Sequence, residues 1–212
     1  MMGQASFDLI VIGAGQAGPF LAAKLAHAGK KVALIEARQL GGTCVNRGCT
    51  PTKTLRKSAR VAYMARRAAE FGVDVGPVTV NFGVAMARMR KRITDARTGL
   101  EGWLGALPGL TIHYAHGQLA GRDGADFIVQ AGEHTLRAPQ VVLNTGTRSF
   151  MPPIPGLSTV PALDSEGLLA LDELPKKLVI IGGGYISLEM AQIFRRLGAE
   201  VSVIENNPRL TS

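Results

Sequence analysis

A short apolar run at residues 7–12 leads straight into Gly13-Ala-Gly15-Gln-Ala-Gly18. A helical pattern follows to Ala28-Gly29, and a second apolar run, 31–35, ends in Glu36. The unit then returns. Residues 178–181 lead into Gly182-Gly-Gly184-Tyr-Ile-Ser187, a helical pattern reaches Leu197-Gly198, and 200–204 ends in Glu205. Positions 13, 15, 18 and 36 map onto 182, 184, 187 and 205 with a single offset of 169 and no gap. Each copy has a strand before the glycines, a helix after them and an acid about 20 positions on. That context turns a glycine pattern into a dinucleotide site. Gly13 and Gly182 permit the tight turn. Gly15 and Gly184 let backbone approach a pyrophosphate, which sits on the positive end of the helix and its unbonded N–H groups. Gly18 allows helix to pack on strand, and Ser187 takes that place in the second copy with a side chain that is still small. Glu36 and Glu205 are placed to accept from ribose hydroxyls. Two nucleotide sites in one chain suggest one nucleotide held permanently and one exchanged, the logic of a flavoprotein fed by a nicotinamide.

The 212 residues carry 24 Lys and Arg against 16 Asp and Glu, a formal charge of +8. The excess falls on two helical stretches, one with Arg56, Lys57, Arg60, Arg66 and Arg67, the other with Arg88, Arg90, Lys91 and Arg92. These residues alternate with Ala and Met and have no aromatic partners for base stacking. They read as solvated helix faces, and nucleic acid is not an expected partner. No apolar stretch is long enough to span a membrane. The early apolar run has Asp8 at its start and no Lys or Arg before it, which speaks against a secretory leader and for the cytoplasm.

The chain has only two cysteines, in Gly41-Gly-Thr-Cys44-Val-Asn-Arg-Gly-Cys49-Thr-Pro-Thr-Lys53. A close pair in such a chain points to redox chemistry or a metal. An extended path would hold the two Cα atoms about 17 Å apart, a helical one about 7.5 Å, and a disulfide needs roughly 5.5–6 Å. The segment must therefore curl if the pair is to close. Pro51 is predicted as the first helical residue with Thr50 as its cap, which puts Cys49 at a helix N-terminus, where a thiolate is favoured. Zinc would need further ligands, and His27, His113, His116 and His134 form no pair at helical spacing. Two inert buried thiols are the remaining reading, against which the Gly, Asn and Thr flanks speak.

With both nucleotide fingerprints beside it, this segment resembles the redox motif of the class I pyridine nucleotide–disulfide oxidoreductases, the mercuric reductase-like and dihydrolipoamide dehydrogenase-like enzymes among them. The likeness covers essentially the whole chain. It implies bound FAD and a Cys44–Cys49 disulfide that takes electrons from NAD(P)H through the flavin and hands them to a small disulfide or a metal ion. Cys49 would be the sulfur nearest the flavin and Cys44 the thiol that meets substrate. Lys53 would lie by the flavin and pair with Glu189. Tyr185 would cover the nicotinamide pocket. Thr43 would touch the flavin pyrophosphate. Asn144-Thr145-Gly146-Thr147 resembles a family turn that contacts FAD, although Asn144 stands where Ala is common. Glu205 followed by Asn206 suggests NADH over NADPH. No resident metal is expected.

The fold class implied is α/β: a Rossmann-like FAD-binding domain over 1–150 carrying the disulfide, then a linker and the start of a Rossmann-like NAD(P)-binding domain over 151–212. The turn-rich Met151-Pro-Pro-Ile-Pro-Gly156 marks the boundary. Between the cysteines and the second fingerprint, helices are predicted over 51–71 and 82–107 and strands over 111–114, 126–129 and 141–143, with a small antiparallel excursion in the first domain. Family members continue into a dimerisation domain whose His serves the partner's active site. The chain is therefore expected to be an N-terminal fragment of a homodimer subunit, inactive by itself in steady state. The alternative is a truncated, non-catalytic flavin- or nucleotide-binding module.

Overall fold

A computed structural model describes residues 5–211. In chain order it contains β1 (Ala5–Ser6), β2 (Leu9–Ile12), α1 (Ala17–His27), β3 (Val32–Ile35), α2 (Gly42–Asn46), α3 (Cys49–Arg66) and α4 (Phe82–Gly105). There follow β4 (Leu110–His113), β5 (Gly117–Asp123), β6 (Asp126–Ala131), β7 (His134–Ala138), β8 (Val141–Leu143), α5 (Ser165–Leu169), β9 (Lys177–Ile181), α6 (Tyr185–Leu197) and β10 (Glu200–Ile204). Cα packing divides the chain into two compact units, one of residues 1–48 and 93–160, the other of 49–92 and 161–212.

The first unit is built on a four-stranded parallel sheet in the order β4-β3-β2-β8. Its central strands, Leu-Ile-Val-Ile and Val-Ala-Leu-Ile, are buried at every position. Continuous apolar runs of this kind mark a parallel sheet covered on both faces. Leu9, Val11, Val32 and Leu34 pack with Ala22 and Ala23 of α1 and with Leu104 of α4. Ile10, Ile12, Ala33 and Ile35 turn the other way, onto Val129, Leu136 and Ala138 of the second sheet. That sheet runs β1-β7-β6-β5, with β5-β6-β7 antiparallel. This is the expected antiparallel excursion, and it forms the third layer. The fold is a Rossmann-like α/β architecture with parallel sheets.

β5 and β7 were not predicted. Gly-Gln-Leu-Ala-Gly-Arg-Asp is exposed at nearly every position of β5 and lacks the alternation that reveals a half-buried strand. Two-residue turns fix both hairpins, at Gly124-Ala125 and Gly132-Glu133, with Gly124 and Gly132 each at φ +60°.

In the second unit β9 and β10 pair in parallel. Met190, Ile193, Phe194 and Leu197 of α6 are buried, and so are Leu55, Ala59 and Ala62 of α3, the helix packed against it. The Phe194 ring lies 6.2 Å from that of Phe82. On the sheet's outer side Val179, Ile181 and Ile204 are 60%, 50% and 58% exposed. Several of the basic residues have partners here. The Arg66 guanidinium donates to the Arg196 carbonyl at 2.5 Å, Arg67 pairs with Glu70 and Arg90 with Asp172, and Arg88 donates to the Thr54 carbonyl at 3.0 Å. Among the described residues no helix is long and apolar enough to cross a membrane.

The helix at the cysteines starts earlier than the sequence suggests. Residues of α2 curl into a short helix, Arg47 and Gly48 form the link, and α3 begins at Cys49 itself. Pro51 is therefore the third helical residue and not the first, and Thr50 lies inside the helix, its carbonyl accepting from the Thr54 hydroxyl at 2.8 Å. The first four N–H groups of a helix have no partner within it, so a proline anywhere in that turn removes nothing. Pro19 occupies the same third position in α1.

Candidate functional site

The first unit carries its glycine loop at the end of β2. Gly13 has φ +103°, and its N–H donates to the Ile35 carbonyl at 2.7 Å, tying the turn to β3. A side chain at Gly13 would run into the Asn144 carbonyl at the end of β8. Gly18, the second residue of α1, lies under the Gly13 carbonyl and against Val11, so the third position serves helix–strand packing as the fingerprint requires. The start of α2 sits directly on this loop. A Cβ at Gly42, itself at φ +56°, would stand 2.7 Å from the Gly15 Cα. Gly41 donates to the Ala14 carbonyl at 2.8 Å, and the Gln16 side chain donates to the Gly41 carbonyl at 3.3 Å. The redox motif and the first nucleotide loop are thus fastened together by backbone.

Glu36 has partners within the protein itself. Its carboxylate accepts from the Ala14 N–H at 2.8 Å and from the Arg38 N–H at 2.7 Å. The second unit repeats this bond for bond. Gly182, at φ +97°, donates to the Ile204 carbonyl at 2.8 Å. Glu205 accepts from Gly183 at 2.5 Å and from Asn207 at 2.8 Å. The Asn207 and Gly183 amides, in that order, hold the Glu205 carboxyl below the usual carboxylate range. A carboxylate has about four lone-pair sites, so Glu36, with these two backbone donors, has room for hydroxyl donors as well. Sequence reasoning missed this bracing role, because the acid's partner lies 22 residues earlier and only the fold brings them together.

In the first unit Gly13, Gly15, Glu36, Thr43, Thr145 and Gly146 line one cleft of about 410 Å³, within the ~300–1,000 Å³ range of small-molecule sites. Gly18 packs beneath it. The same cleft also exposes Arg38, Arg47, His116 and Arg148. Arg38, Arg47 and Arg148 were not singled out from the sequence, though their positive charge suits a phosphate-bearing ligand. Arg47 donates to Gln39 at 3.1 Å. The glycine loop, the cation-lined wall and the braced acid fit an adenine dinucleotide in kind and in space.

Cys44 lies half-buried on α2, and Cys49 is exposed as the first residue of the 18-residue α3. Asn46, between them, is buried and donates from its amide to the Leu40 and Gly42 carbonyls, both at 2.9 Å. Lys53 is exposed on α3 and Glu189 half-buried on α6, with no ion pair between them among the described residues. On the second loop Gly184 precedes α6, Ser187 lies in its first turn with its hydroxyl toward Gly182, and Tyr185 is 78% exposed. Among the described residues no three His, Cys, Asp or Glu are grouped to hold a metal.

The model of the pyridine nucleotide-disulphide oxidoreductases matches residues 7–212. Among curated relatives, dihydrolipoyl dehydrogenase of Chlamydia trachomatis is 39% identical over 208 residues, covering 97% of this chain and 44% of the relative. A mercuric reductase of Shigella flexneri is 34% identical over 204 residues, 94% of this chain and 36% of the relative. The chain therefore spans less than half the length of these relatives. Among solved structures, the HOCl-induced flavoprotein disulfide reductase RclA from Escherichia coli superposes with a TM-score of 0.81 at 34% identity, covering 95% of this chain and 42% of that one. With a family match that takes in both glycine loops and the cysteine motif, the chain belongs to the pyridine nucleotide-disulphide oxidoreductase family.

Proposed function

We propose that this chain is the flavin- and nicotinamide-binding portion of an FAD-dependent oxidoreductase that passes electrons from NAD(P)H to a Cys44–Cys49 disulfide, and from there to a disulfide or metal-ion acceptor. Residues 1–150 would hold FAD and 151–212 would begin the NAD(P)H site. The observation that carries the reading is the seating of Gly42, at the head of the cysteine-bearing α2, on the Gly15 backbone of the first loop. A nucleotide in the cleft has the redox motif as one of its walls.

Bound FAD would supply two-electron chemistry between a hydride donor and a disulfide. The chain's own residues would do the rest. The Gly15 backbone and the start of α1 would hold the pyrophosphate, Glu36 the adenosine ribose, and Thr43 and Thr145-Gly146 the centre of the cofactor. Two electrons and two protons convert the Cys44–Cys49 disulfide to a dithiol. Cys44 then attacks the acceptor, and Cys49 closes the disulfide again as the reduced product leaves. Cys49 opens α3, where the amides of the first helical turn have no partner within the helix. Glu205, held ionised, would accept from an unmodified ribose and repel a 2′-phosphate, which favours NADH. Activity would require subunit pairing in the longer protein.

The test is to express the chain, add FAD and follow flavin absorbance through a desalting column, then repeat with Glu36→Ala. Retention by the first and loss by the second supports the reading. A colourless protein in both cases defeats it. Sustained NADH oxidation by these residues alone, dependent on Cys44, would show a working minimal enzyme where a partial one is proposed.

A further inference from the structure

The residue that departs from the family pattern holds the first glycine loop from the far side. The Asn144 N–H donates to the Ile12 carbonyl at 2.7 Å, which places the residue across the mouth of the turn. Its side-chain amide donates to the Gly13 carbonyl at 3.0 Å. The carboxamide fills space that the glycines leave open, because its nitrogen would stand 3.3 Å from a Cβ at Gly15 and 2.8 Å from one at Gly18. An alanine at 144 would leave that space empty and the carbonyl unbonded.

The Gly13 carbonyl and the Ala14 N–H are the two ends of one peptide group. Asn144 holds its oxygen, and Glu36 accepts from its nitrogen at 2.8 Å. A rigid peptide plane here sets the direction of the next amides, those that face the cleft. In the second unit Gly183 likewise donates to Glu205 at 2.5 Å.

We propose that Asn144 is a positioning residue for the cofactor pyrophosphate: it fixes the Gly13–Ala14 peptide against Glu36 and so strengthens phosphate binding at the first site. This rests on the reading of the first cleft as the FAD site. Asn144 acts through the loop, so its effect should follow the phosphates and the donor character of its side chain.

The experiment uses the 212-residue chain with Asn144→Ala and Asn144→Asp, FAD and ADP as ligands, and circular dichroism to check folding. Asn144→Ala should weaken both ligands about three- to tenfold, the worth of one net hydrogen bond, by the same factor at every pH. Asn144→Asp sets a carboxylate against a carbonyl and a dianion. It should weaken binding more at about pH 8 and recover toward wild type as the pH falls to about 5 and below, where the acid regains a proton to donate. Wild-type affinity in both variants, or a variant-to-wild-type ratio for Asn144→Asp that does not change with pH, would overturn the proposal. If the wild-type chain binds neither FAD nor ADP, the cleft reading itself has failed. If wild type binds both and the variants match it, only Asn144's role has failed.

Discussion

The Ala14 amide donates to the Glu36 carboxylate at 2.8 Å, closing a ring of chain between the turn after β2 and the end of β3. The bond makes the acid a structural part of the loop, beside its proposed contact with a sugar. Gly183 and Glu205 form its counterpart in the second copy. Two unlike acceptor roles on one carboxylate predict that its removal will be felt even without ligand.

Glu36→Ala should therefore lower the stability of the apoprotein by about 1–3 kcal/mol, since two backbone donors lose a charged acceptor, and should raise the FAD dissociation constant at least about tenfold. Urea unfolding and flavin fluorescence read the two effects separately. An unchanged urea midpoint would remove the bracing role and leave only the sugar contact.

At Glu205 the sign of the pH effect follows from the donors. The Asn207 and Gly183 amides depress the folded-state pKa below that of the unfolded chain. The stabilisation is thus present above the ordinary carboxylate range and is lost as pH falls through the lowered value. Binding of NADH should accordingly persist to the acid side of the usual Glu titration. Glu205→Gln should narrow the preference for NADH over NADPH, read from the ratio of the two dissociation constants.

Gly42→Ala should be among the most damaging small substitutions in the first unit. The added methyl would meet the Gly15 Cα at 2.7 Å, and the residue sits at φ +56°. Overpacking against backbone costs about 1–3 kcal/mol, and the left-handed conformation adds roughly 1 kcal/mol or more. A melting temperature unchanged by the substitution would mean that α2 shifts freely off the loop.

The two cysteines should separate spectroscopically. Cys49 opens α3 and Cys44 lies on α2. In the longer protein, loaded with FAD and reduced by two electrons, Cys44→Ser should keep a long-wavelength charge-transfer absorbance and Cys49→Ser should lose it. The opposite pattern would reverse the assignment of the flavin-side sulfur.

The parts of the molecule legible in the sequence are those whose physics is local. Leu9–Ile12 and Val32–Ile35 read as buried strands because every position is apolar. Gly13 and Gly182 read as turns because their backbone angles favour glycine. The contacts that build the cleft are different in kind. Nothing near Asn144 in the chain says that its amide will meet Gly13, 131 residues away. Arg38 and Arg148 line one cleft only because β8 returns beside β2. The start of α3 at Cys49 was hidden for another reason: a proline fits any position in the first turn, so Pro51 marks a helix start only to within a residue or two. β5 stayed hidden because a mostly exposed strand has no apolar rhythm to show.

The paired strands β9 and β10 have practical weight at the bench. They present Val179, Ile181 and Ile204 outward, and among the described residues each has one hydrogen-bonding edge unused. A short, open ribbon with aliphatic side chains is a template for other ribbons like it. Preparations of this chain should therefore have a shelf life set by concentration, staying clear when dilute and clouding on standing when concentrated. A charged residue in place of Val179 should lengthen that interval without touching either glycine loop.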